Sequence, residues 1–95
     1  MSDIKEEMLW DVKIQKKYEE MISKIPLFHR EIINQVVPIK SQDNAKQRGS
    51  SVIEEKDVVS AFLTEVPKAF YSLMIRLMDE VGFDYKELIS NGSKK

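Results

Sequence analysis

The stretch Ala45-Lys46-Gln47-Arg48-Gly49-Ser50-Ser51-Val52-Ile53-Glu54-Glu55-Lys56-Asp57-Val58-Val59 decides the fold. A polar run ends at Gly49, which is the natural residue for a left-handed helix C-cap. Ser50 to Ile53 then forms a short extended connector, too brief to be a sheet of its own. Glu54 and Glu55 sit at the positive end of the helix that follows. Val58, Val59, Phe62, Leu63 and Val66 give that helix one apolar face. The pattern is helix, glycine cap, extended link, helix.

Upstream of this unit, apolar residues again keep helical spacing. Trp10, Ile14, Tyr18, Met21, Ile22 and Ile25 recur every three or four residues, which predicts a first helix from about Met8 to Lys24. Asp3, Glu6 and Glu7 suit its positive end, and Lys24 suits its last turn. Pro26 ends it, because the residue before a proline is pushed out of the α region. A second helix starts at Pro26 or Leu27, with Phe28, Ile32, Val36 and Ile39 predicted as its inner face. Pro38 lies within that pattern and predicts a kink or break near Val37.

Downstream, Pro67 either opens a fourth helix or kinks the third. Phe70, Leu73, Met74, Leu77, Met78 and Val81 form the cleanest helical stripe in the chain, and Gly82 closes it. Met74 and Met78 are expected in the core. Residues 83–89 are expected to add one short turn, and residues 90–95 a disordered polar tail. No segment alternates with period two. The expected fold is all-α: a bundle of four to five helices around one core, forming a single domain over residues 1–89.

Composition narrows the chemistry. Ninety-five residues with 42% apolar and 33% charged suit one folded domain rather than a disordered chain. A net charge of −1 gives no general attraction to nucleic acid or anionic lipid. There is no cysteine, so disulfides, iron–sulfur ligation and cysteine-based zinc sites are excluded. No apolar run approaches the ~20 residues needed to cross a bilayer. Met1 to Glu7 lacks a basic region followed by an apolar stretch, so no signal peptide is expected and a cytoplasmic location is the default.

Candidate sites are few. His29 is the only histidine, and a zinc site wants about four ligands, so neither metal nor cofactor is expected. The same lone imidazole would have to serve any serine nucleophile, and nothing in the spacing joins the two. Carboxylate pairs such as Glu19-Glu20 and Asp79-Glu80 are adjacent on helices and do not face each other. The chain is therefore expected not to be an enzyme. Lys24, Arg30, Lys40, Lys46 and Arg48 outnumber Glu31 and Asp43 in residues 24–50, whereas residues 51–89 are net acidic. A mixed, dipolar surface of this kind favours a protein partner over nucleic acid. Trp10, Tyr71, Phe83 and Tyr85 exceed what one small core needs, so some of them are expected in an exposed apolar patch.

Two groups of residues also resemble known families. Ile25-Pro26-Leu27-Phe28-His29-Arg30, then Ala45-Lys46-Gln47-Arg48-Gly49, then Val52 to Ala61 resemble the small C-terminal helical domain of the B subunit of light-independent protochlorophyllide reductase. The resemblance covers residues 18–63. The segment between Arg30 and Ala45 is about one helical turn longer than the family pattern, and Glu54 stands where the family has a threonine cap. That domain is an appendage to a nitrogenase-like enzyme, near a tetrapyrrole and a subunit interface. The resemblance implies an accessory module that docks on a larger protein, one handling a redox or tetrapyrrole cofactor, with Phe28, His29 and Arg30 as contacts.

The middle stretch is also similar to the second half of an archaeal histone fold, in which a loop arginine pairs with a helix-start aspartate. Ser50 stands in the arginine's place here, leaving Arg48 to reach Asp57. This alternative implies a dimeric nucleic-acid binder using Lys40, Lys46, Arg48 and Ser50 on phosphates, although a histone should be basic and this chain is not. Monomer and homodimer both remain open, and no membrane partner is expected.

Overall fold

The computed structural model describes residues 9–86 and residue 88. Four α-helices dominate them: α1 (Val12–Lys24), α2 (Leu27–Gln47), α3 (Glu55–Glu65) and α4 (Tyr71–Val81). Two residue pairs, β1 (Leu9–Trp10) and β2 (Val52–Ile53), lie parallel in the register Leu9 to Val52 and Trp10 to Ile53. The all-α expectation holds, with this small bridge added.

The bridge corrects the start of the first helix. Leu9 and Trp10 are strand, and the Asp11 carboxylate caps α1 by accepting from the N–H groups of Lys13 at 2.9 Å and Ile14 at 3.4 Å. The Asp11 N–H in turn donates to the Ile53 carbonyl at 3.1 Å. A cap that is also tied to β2 fixes where α1 begins. Ser50 to Ile53 is thus not an isolated connector. Met8 and the acidic residues upstream of it lie outside the described residues, as do Glu87, Ile89 and the tail 90–95.

The α2–β2–α3 corner forms as its residues predict. Gly49 takes φ +80°, its N–H donates to the Lys46 carbonyl, and the Ser50 N–H donates to the Ala45 carbonyl, both at 2.9 Å. This is the two-bond closure of a helix by a left-handed glycine. Arg48 reaches across the corner. Its Nε meets Asp57 Oδ1 at 2.9 Å and its Nη2 meets Asp57 Oδ2 at 2.6 Å. Asp57 is only 2% exposed. Its Oδ2 also accepts the Glu54 N–H at 2.8 Å, satisfying an orphan donor at the start of α3. The Asn44 amide donates to the Asp57 carbonyl at 3.0 Å, which joins α2 to the first turn of α3.

The core is built from Ile14, Tyr18, Met21 and Ile25 of the first helical segment, Val58, Val59 and Phe62 of α3, and Met74, Leu77, Met78 and Val81 of α4. Met74 and Met78 are buried, as expected. Pro67 follows the end of α3 and leads through a 3-10 turn (Lys68–Phe70) into α4. Gly82, at φ +88°, closes α4 while the Phe83 N–H returns to the Met78 carbonyl at 2.8 Å. Phe83 is buried by this closure. The Lys17 ammonium donates to the Gly82 carbonyl at 2.9 Å and ties α1 to the same end.

The second helix is not broken at Pro38, and it turns a different face inward from the one expected. It runs unbroken through Pro38 for 21 residues. Its buried residues are Ile33, Val37, Ser41 and Ala45, so of the predicted inner face Phe28, Ile32 and Ile39 lie outside, and Val36 alone packs partly against the core. The cause is size. Ser41 and Ala45 are fully buried and let α3 approach closely, and the Ser41 hydroxyl is satisfied by the Val37 carbonyl at 2.7 Å.

Asp57→Ala is expected to cost about 2 kcal/mol in chemical denaturation, because a helix cap and a paired Arg48 are lost together. Ala45→Leu is expected to cost ~1–3 kcal/mol by overpacking the α2–α3 contact, whereas Ile39→Ser at low protein concentration changes stability by less than ~0.5 kcal/mol.

Candidate functional site

At 100° per residue, the buried positions of α2 leave one opposite face for Phe28, Ile32 and Ile39. These side chains are 86%, 58% and 72% exposed. Leu27, at the helix start, is 75% exposed as well. Single exposed apolar residues are ordinary on protein surfaces. Three at helical spacing make one apolar stripe, interrupted by Gln35, along the outer face of α2. Gln35 lies within the stripe, and Glu31 and Asp43 flank it, all exposed.

The helix that carries this patch is anchored at both ends. At its start, the Arg30 guanidinium folds back onto α1. Nη2 donates to the carbonyls of Ser23 and Ile25, each at 3.0 Å, and Nε donates to Ile25 at 3.2 Å. These are carbonyls that the end of α1 leaves unpaired. His29 packs its ring 4.3 Å from Phe70 and 5.9 Å from Phe28, centroid to centroid. Of the three expected contact residues, Phe28 faces solvent, while His29 and Arg30 hold elements together. At its other end, Arg48 fixes α2 to α3.

The expected phosphate contacts are largely engaged within the fold. Arg48 holds Asp57 and lies 3.8 Å from Glu54. The Ser50 hydroxyl both donates to the Val52 carbonyl and accepts its N–H, each at 3.0 Å. Lys40 lies 3.9 Å from Asp43. Lys46 is exposed, with no ion pair among the described residues.

The expected aromatic patch does not form. Phe83 is buried, Trp10 and Tyr85 pack partly against the core, and Tyr71 is 38% exposed. The apolar surface lies on α2 instead. Phe28, Ile32 and Ile39 face outward rather than inward, and the small pair Ser41 and Ala45 is the sequence signal for the side that packs.

A cavity of about 300 Å³ opens beside α1, lined by Trp10, Gln15, Tyr18, Glu19, Ile22 and Asn34. Tyr18 forms its floor, with its hydroxyl donating to Asn34 Oδ1 and its ring 5.3 Å from Trp10. Burial pushes the Tyr18 phenol above its ordinary value. Among the described residues, no group of three or more His, Asp or Glu gathers as a metal-ligand set. Nor is any single helix among them long and apolar enough to cross a membrane.

Compared with protein-family models, curated proteins and solved structures, the chain finds no match in any of the three.

Tyr18 makes the fold sensitive to alkali. The phenol is held neutral in the folded state, whereas an unfolded tyrosine ionises near pH ~10. Its contribution is therefore whole below that pH and is lost as pH rises above it. Tyr18→Phe is expected to cost about 1 kcal/mol at neutral pH through the lost hydrogen bond to Asn34. It should also flatten the fall in stability above pH ~10, read by urea denaturation across a pH series.

Proposed function

We propose that this chain is a non-catalytic helical interaction module that docks on a larger protein through the outer face of α2. The exposed stripe of Phe28, Ile32 and Ile39 on a helix anchored at both ends carries this proposal. Aromatic and large aliphatic anchors on a rigid helix suit groove recognition, in which the apolar face of a helix fills a complementary cleft. The resemblance to the appendage of the protochlorophyllide reductase B subunit makes an enzyme handling a redox or tetrapyrrole cofactor the first partner class to test.

The nucleic-acid alternative gains less support. Arg48 and Ser50 already serve the corner between α2 and α3, and releasing Arg48 would leave a buried carboxylate unpaired.

The test compares affinity capture by the wild-type chain and by Ile32→Asp/Ile39→Asp, with circular dichroism as the control for folding. A defined protein partner held by the wild type is expected to weaken at least ~30-fold in the double variant, since anchor residues carry about 2 kcal/mol or more each. Equal capture by a folded double variant would refute the docking face. Capture that depends on nuclease-sensitive material would favour the phosphate-binding alternative.

A further inference from the structure

We infer that, in the free protein, the outer face of α2 is covered by a second copy of the same chain running antiparallel. This rests on the reading of that face as an interaction surface and names one occupant of it.

The spacing of the seam is the first observation. Phe28, Ile32, Gln35 and Ile39 follow one another at intervals of four, three and four, the repeat that keeps one helix stripe on a partner helix. These intervals read the same in both directions. A twofold axis between residues 33 and 34 therefore sets Phe28 of one copy against Ile39 of the other, and Ile32 against Gln35. The seam matches itself layer for layer.

Gln35 is the second observation. Against a purely apolar foreign surface, its amide would be buried without a partner, which costs ~1–3 kcal/mol. Across this twofold axis, two Gln35 side chains lie about one helical turn apart or closer, on the same side of the seam. Each amide has donors and acceptors, so the two can satisfy one another. A polar pair in an otherwise apolar seam also fixes the register.

Area is the third. Phe28, Ile32 and Ile39 together expose on the order of 400 Å² of apolar side chain, judged from their exposures and usual sizes. Two copies bring on the order of 800 Å² together before any polar flank is counted, the size of a weak, reversible interface. Glu31 and Asp43 at the flanks are exposed, so a second helix approaches without displacing them.

Sedimentation velocity on the purified full chain from 5 to 500 μM tests the inference, where these concentrations are on the order of those that bracket a micromolar Kd. The expected species is a dimer of about 22 kDa, twice the 11.1 kDa chain, forming in the low micromolar range. Ile32→Asp, with unchanged circular dichroism, should shift the Kd upward at least ~30-fold. The chain has no native cysteine, so position-specific crosslinking is clean. Gln35→Cys, near the axis, should crosslink between copies under mild oxidation, and Asp43→Cys, far from it, should not.

A wild-type monomer at the highest concentration would overturn the self-pairing. A dimer that survives Ile32→Asp, or crosslinks at residue 43 as readily as at 35, would overturn it as well. If the wild type is monomeric yet the Ile32→Asp/Ile39→Asp variant loses its heterologous partner, the interaction face stands and only the second copy falls.

Discussion

A single buried carboxylate organises this chain. Asp57 receives the two-pronged Arg48 guanidinium from the end of α2 and the Glu54 N–H from the start of its own helix. Its backbone carbonyl receives the Asn44 amide. A carboxylate at 2% exposure is tolerable only when its lone pairs are met, so the Arg48 and Glu54 bonds are needed together. Together they leave β2 one path between α2 and α3. That path presents Ile53 to Asp11, and the start of α1 follows from it. A local charge pair thus sets long-range topology, linking residues 11, 48, 53 and 57 through a few hydrogen bonds.

Much of this was legible in the sequence because caps and stripes have short-range causes. Gly49 and Gly82 announce left-handed closures, and both adopt them. The α1 and α4 stripes are made of large apolar residues at i, i+3 and i+4, and their burial follows. The pairing of Arg48 with Asp57 was within reach, since the two residues flank one short connector. The face of α2 was not. It carries large apolar residues on both sides, so hydrophobic spacing alone gives two competing stripes. Packing against α3 selects the side where Ser41 and Ala45 permit close approach, and Ser41 sits in a run that reads as polar. The two-residue strand β1 was equally hidden, because alternation cannot be seen over two residues and its partner lies 43 positions away.

The candidate contacts around Phe28 separate for the same reason. Arg30 looks like an interface anchor in sequence, but the end of α1 has unpaired carbonyls within its reach, and a guanidinium with five donors in a fork answers them. His29 finds Phe70, a residue brought close only by the turn after Pro67. Phe28, just before them, touches only the edge of His29 and stays largely in solvent. Sequence adjacency therefore said little about shared role, because consecutive helical residues point 100° apart.

The division of labour on α2 explains why an apolar outer face is compatible with a stable small domain. The inner face, Ile33 to Ala45, is satisfied by α3 and does not need the outer residues. Arg30 at one end and Arg48 at the other hold the helix in place before anything binds. An interface built on such a helix loses little ordering entropy on association, so modest apolar area converts into useful affinity. Occupation of the outer face would in turn stabilise the whole domain by mass action, since the unfolded chain has no comparable surface to offer. A partner on that face would then act on folding only through this equilibrium, because the packing beneath Ile33 and Val37 is already complete without it.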